Sequence, residues 1–146
     1  MAKTVDVNTE IKINCPFSKV AAYAFNPDNA PEWYVNINAI EWKSEKPLQV
    51  GSLVAFKAQF MGKKLEYTYE FVELTESRLV MKTAQGPFPM QTTYVLEELD
   101  ESTTLMRLRN NGQPSGFSKF MSPLMAKMMK KANQKDLLSI KSILEK

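Results

Sequence analysis

The chain has 146 residues and a net charge of +3, long enough to bury the core of one domain. Apolar side chains make up 44% and charged ones 24%, a balance that excludes a disordered chain. It has no histidine and one cysteine, Cys15, which removes Ser-His and Cys-His nucleophile pairs, histidine-containing zinc sites and internal disulfides.

The longest apolar stretches fall well short of the ~20 residues of a membrane helix. Residues 1–6 have no apolar segment of the kind that opens a secretory signal. A cytoplasmic, single-domain protein spanning 1–146 is therefore expected. The charge is uneven: from Phe117 onward seven lysines face only Asp136 and Glu145, so this segment carries +5 and the remainder −2.

Val5, Val7, Thr9, Ile11 and Ile13 alternate with Asp6, Asn8, Glu10 and Lys12, the period of a half-buried strand. Cys15-Pro16 then opens a short helix with an apolar stripe of Val20, Tyr23 and Ala24, and Asn26-Pro27 ends it. Asp28–Tyr34 is too rich in proline for more than another helical turn. A weakly patterned strand follows over 37–43.

The middle of the chain is β-rich. Val54, Phe56, Ala58 and Phe60 share one face of a strand entered at Gly51. After the turn Met61-Gly62-Lys63-Lys64, Leu65, Tyr67, Tyr69 and Phe71 share one face of the next, so the two form a hairpin. Leu79, Met81 and Thr83 mark a further strand, and Gln85-Gly86-Pro87 breaks it. Met90, Thr92, Tyr94 and Leu96 belong to another. Asp100-Glu101-Ser102 turns the chain into the last, where Thr104, Met106, Leu108 and Asn110 alternate with Arg107 and Arg109. Strands this closely spaced predict an antiparallel meander, apolar on one side.

After the loop 110–116 the period changes to three and four: Phe117, Phe120, Met121, Leu124, Met125, Met128, Met129 and Ala132, continued by Leu137, Ile140 and Leu144. This is an amphipathic helix of about 28 residues, about 42 Å if continuous. Either Ser122 caps a new helix at Pro123 or Pro123 kinks a single one.

The fold class is thus α+β. A curved antiparallel sheet of six or seven strands wraps a long C-terminal helix, the only element able to cover its apolar face, with two short helices after the first strand. Aromatic and methionine side chains face the gap where Leu, Ile and Val would close a small core, and such side chains also line ligand sites. The sheet offers Phe56, Phe60, Tyr67, Tyr69, Phe71, Met81, Met90, Thr92, Tyr94, Met106 and Asn110. The helix offers Phe117, Phe120, Met121, Leu124, Met125 and Met128. Buried tyrosines need hydroxyl partners, and Tyr67, Tyr69, Tyr94, Thr92 and Asn110 serve one another or a ligand's polar end.

Three stretches carry a family resemblance: Val5–Ile13 running into Cys15-Pro16-Phe17-Ser18-Lys19-Val20 with Asn26-Pro27 and Pro31-Glu32-Trp33; the Gly51 strand entry with the hairpin through Gly62; and the tail Phe117–Lys146 with its internal Pro123. In these the chain resembles the START-like (SRPBCC) superfamily, in its polyketide cyclase/dehydrase and lipid-transport branch. The resemblance implies a helix-grip fold with a cavity between sheet and C-terminal helix, and adds the loop at Trp33 and Tyr34 to the site. Members bind lipids, polyketides or other hydrophobic molecules, and some are cyclases or dehydratases.

The expected function is binding or carrying a small hydrophobic molecule of lipid, polyketide or aromatic type. No catalytic residue, metal or cofactor is expected, and no nucleic-acid partner. Two alternatives remain open. One is a cyclase- or dehydratase-type enzyme using tyrosines with Glu32, Glu70 or Glu98. The other is transient membrane or partner contact through Lys119, Lys127, Lys130, Lys131 and Lys135 on the methionine-rich helix. Cys15 reads as a structural residue at the strand–helix junction.

Overall fold

Alternation in the sequence becomes a seven-stranded antiparallel sheet. A computed structural model describes residues 5–60, 62–86, 89–112 and 118–146. The strands are β1 (Val5–Ile13), β2 (Ile37–Trp42), β3 (Leu53–Phe60), β4 (Lys63–Leu74), β5 (Arg78–Gln85), β6 (Met90–Asp100) and β7 (Thr103–Gly112). Their spatial order is β1-β7-β6-β5-β4-β3-β2, with every neighbouring pair antiparallel. All connections from β2 to β7 are hairpin-like, and only the first crosses from one edge of the sheet to the other. Register shifts at Ile37/Ala39, Thr68/Tyr69, Phe71/Glu73 and Glu98/Asp100 mark bulges, which bend strands and add twist. The result is a half-barrel. Gly62, at φ 76°, supplies the left-handed residue of the two-residue link between Phe60 and Lys63.

The edge-to-edge connection holds α1 (Phe17–Ala24), a 3-10 turn (Pro27–Asn29) and α2 (Ala30–Trp33). Pro16 stands just before the first helical residue, and Val20 and Ala24 are buried. The Asn26 side chain accepts from the Asp28 N–H and caps the 3-10 turn. The C-terminal helix, α3 (Ser118–Leu144), runs as one element of 27 residues through Pro123, so the missing proline N–H neither ends it nor begins a new helix.

Helix α3 packs mainly on β1 and also touches α1 and α2. Its last turn is fixed by polar contacts with β1. The Lys141 ammonium donates to the Lys12 carbonyl at 2.9 Å, and Glu145 accepts from the Asn14 N–H at 2.7 Å. Ile140 and Leu137 enter the core beside Ile13, Val20, Leu96, Met106 and Leu108, each fully buried aliphatic side chain contributing about 1.5–3 kcal/mol. The convex face is polar, with Arg107 between Glu10 and Glu97 and Arg109 on Asp6. Among the described residues no helix is long and apolar enough to cross a membrane.

Candidate ligand-binding site

The concave face of β2–β4, the start of β6 and the end of β7 faces the middle of α3 across a cavity of about 140 Å³. Its described walls are Tyr34, Asn36, Ile37, Phe56, Ala58, Leu65, Tyr67, Tyr69, Met90, Asn110, Met129, Ala132, Asn133 and Asp136. Alternation on the hairpin explains the sheet wall: Phe56 and Ala58 stand opposite Tyr67 and Leu65 in the β3–β4 register. The rings pack in order, Phe56 edge-on to Tyr69 at 5.4 Å and Tyr69 stacked on Tyr67 at 5.8 Å.

Of the residues expected to form the site, Tyr34, Phe56, Tyr67, Tyr69, Met90 and Asn110 line this cavity. Trp33, Phe71, Met81 and Tyr94 instead surround a gap of only about 10 Å³ beneath α2, and Trp33 stacks on Tyr34 at 4.0 Å. Met106 is fully buried in the core. Thr92 is buried and is not among the described lining residues; its hydroxyl donates to Asn110 Oδ1 at 2.6 Å.

On the helix, Leu124 and Met128 are exposed and line no described part of the cavity. At 3.6 residues per turn they lie roughly 120° and 80° around α3 from Asp136, whereas Met129 lies roughly 20° away. The side chains of Phe60, Phe117, Phe120, Met121 and Met125 lie outside the described residues.

The three glutamates expected near the cavity do not reach it. Glu32, Glu70 and Glu98 are exposed; Glu32 accepts from the Tyr23 hydroxyl at 2.7 Å, and Glu70 follows the polar alternation of β4. The carboxyl that enters the cavity is Asp136, 3% exposed. The Val35 backbone N–H donates to its Oδ1 at 2.8 Å. Loss of water outweighs that hydrogen bond and pushes the carboxyl up to about 7. Asn133, one turn earlier and 4% exposed, lines the same wall, and its Nδ2 has no hydrogen-bond partner.

The tyrosines are largely engaged with neighbours. The Tyr34 and Tyr94 hydroxyls hydrogen-bond each other, and Tyr69 bonds to Thr92 and Thr83. Burial raises Tyr34, Tyr67, Tyr69 and Tyr94 above the ordinary phenol value, so all four stay neutral. Cys15 is buried, and desolvation raises its thiol, which leaves it protonated near neutral pH.

The sequence from residue 4 to residue 145 matches the family described as polyketide cyclase / dehydrase and lipid transport. The chain belongs to this family. Among curated proteins, none matches the sequence. Solved structures share the fold at low identity. The Zhui aromatase/cyclase from Streptomyces sp. R1128 superimposes with a TM-score of 0.85 at 12% identity, over 98% of this chain and 94% of its own. A START superfamily protein from Mycobacterium smegmatis gives 0.85 at 10% identity, over 96% and 97%. The major latex-like protein 151 from Panax ginseng gives 0.73 at 13%, over 97% of each chain. For this member of the polyketide cyclase and lipid-transport family, these likenesses establish the helix-grip architecture.

Proposed function

We propose that the protein binds or carries a small hydrophobic molecule in the cavity between the sheet and α3. The observation that carries this reading is the wall itself: mostly rings, methionines and aliphatic groups, with the amides of Asn36, Asn110 and Asn133, the carboxyl of Asp136 and no cationic side chain among the described lining residues. A dry apolar cavity of about 150 Å³ is enough to hold a benzene-sized molecule, and removal of apolar surface from water supplies affinity without charge pairing. Native mass spectrometry of the purified protein, with displacement of a solvatochromic dye by ring-sized hydrocarbons, tests it. Saturable displacement at one site supports the reading, and no displacement by any apolar probe overturns it.

A second reading is favoured by Asp136. A buried carboxyl held up to about 7 exchanges its proton near neutral pH, as a general acid or base must. Loss of water from a β-hydroxyketone would use it: the carboxylate takes the α-proton, the C–C double bond forms as the C–O bond breaks, and the carboxylic acid so formed returns that proton to the departing hydroxyl, which leaves as water. Turnover of 4-hydroxy-4-phenylbutan-2-one by the native protein but not by Asp136→Asn supports this reading. Equal rates with both proteins remove it.

Transient contact with an anionic membrane rests on the outer face of α3, where Lys127, Lys130, Lys131 and Lys135 are exposed among Leu124, Met128 and Leu138, the Lys119 side chain lying outside the described residues. Salt-sensitive cosedimentation with phosphatidylserine vesicles, absent with phosphatidylcholine alone, would support it. Equal recovery with both would end it.

A further inference from the structure

We infer that Asn133 and Asp136 form a polar pole that selects an uncharged ligand with a hydrogen-bond acceptor beside a donor, such as a primary amide on a ring. This deepens the binding reading above and rests on it. The two side chains occupy positions three apart on α3, so the helix presents them side by side to one cavity wall. Both are more than nine-tenths buried.

The remaining polar groups argue for the same end of the cavity. Tyr34 bonds to Tyr94, Tyr69 to Thr92 and Thr83, and Asn110 Oδ1 accepts from Thr92. The buried donor left unpartnered on the described wall is Asn133 Nδ2. An unpartnered buried donor is costly and rarely tolerated, and a ligand carbonyl would satisfy it once the amide turns toward the cavity that Asn133 lines. The Asp136 carboxyl spends Oδ1 on the Val35 N–H, and its second oxygen would accept from a ligand N–H or O–H.

Charge narrows the class further. No Lys or Arg is among the described lining residues, so a carboxylate ligand would enter beside Asp136 without a counter-ion. A protonated amine would satisfy Asp136 but leave Asn133 facing a group with no lone pair. An amide satisfies both.

The test uses four probes of one ring size: toluene, acetophenone, benzamide and benzylamine. Binding to the full chain is measured by ligand-observed NMR and by calorimetry at about pH 8.5, above the value of about 7 at which Asp136 loses its proton. Each satisfied hydrogen bond is worth about tenfold in affinity. Benzamide is therefore expected to bind more tightly than acetophenone, and acetophenone more tightly than toluene, by about tenfold at each step. Asn133→Leu abolishes the step from toluene to acetophenone. Asp136→Asn keeps an oxygen for Val35 and abolishes the step from acetophenone to benzamide; it also serves if the leucine variant does not fold. Equal binding of all four probes, or tightest binding of benzylamine, overturns the polar pole and leaves the apolar cavity standing. Failure of toluene and every other probe to bind overturns both.

Discussion

The Asp136 carboxylate accepts the Val35 backbone N–H at 2.8 Å across 101 residues of sequence. That bond fastens the middle of α3 to the residue after Tyr34, at the point where the chain leaves α2 for β2. The attachment point of the helix and the polar wall of the cavity are the same carboxyl.

The consequence for stability has a definite sign. The carboxyl lies at about 7 in the folded protein against an ordinary 3.8, so the folded state binds more protons than the unfolded one in between. Stability should be highest near pH 4–5 and fall as pH rises toward 7, at no more than about 1.4 kcal/mol per pH unit. Tyr34 and Tyr94, both raised by burial and by the Asp136 charge, remain neutral throughout, and there is no histidine to add a second transition. Asp6, Asp28, Asp100 and Glu145 are lowered and therefore act below this window, costing stability only in stronger acid. Urea unfolding from pH 5 to 7 should show the decline in the native protein and its loss in Asp136→Asn. A flat native profile would show that Asp136 titrates normally.

The Tyr34–Tyr94 hydroxyl pair predicts a coupling. Tyr94→Phe leaves the buried Tyr34 hydroxyl without its partner, at a cost of about 1–3 kcal/mol. The double variant with Tyr34→Phe removes both polar groups and should cost clearly less than the two single changes together. Coupling of at least about 0.5 kcal/mol in a double-mutant cycle by urea unfolding is expected. Simple additivity would mean that the pair adds nothing.

Ile140 is fully buried where α3 crosses the core. Ile140→Ala should destabilise by about 2–5 kcal/mol, read as a lower urea midpoint with an unchanged slope. Leu138, two residues earlier and 58% exposed, should tolerate Ala within about 0.5 kcal/mol. If both variants lose the same stability, α3 does not pack by this face.

The strands were legible because each has one wet face. On β1, polar Asp6, Asn8 and Glu10 alternate with buried Val5, Val7 and Thr9, a pattern that side-chain geometry alone imposes. The same alternation puts Glu70 between Tyr69 and Phe71 on the outer face, so its exposure followed from the pattern that placed the tyrosines. Helix α3 was harder to orient, because an apolar stripe of eight residues from Phe117 to Ala132 spans more than one face. Leu124 and Met128 count toward that stripe yet turn outward, since what fixes the helix is its C-terminal half on β1. Asp136 and Asn133 are not legible from apolar periodicity, because a carboxylate and an amide add nothing to an apolar stripe. A signal existed: Asp136 falls four residues after Ala132 and four before Ile140, so the extended stripe runs through a carboxylate. A titratable group on the buried stripe of an otherwise core-facing helix is a sign of a site.

The cavity itself yields the last prediction. Ala58 on β3 and Ala132 on α3 face it from opposite walls, and neither side chain reaches across. A phenyl group at position 132 would occupy the space of about 140 Å³ from the helix side. Ala132→Phe should therefore weaken ring-sized probes at least tenfold while the thermal midpoint holds or rises, because filling a void restores contacts that its walls lack. Ala58→Phe should do the same from the sheet. Loss of binding together with loss of folding would point to a wall too tightly packed to accept a ring. Unchanged binding in both variants, with the fold intact, would place the ligand somewhere other than between the sheet and α3.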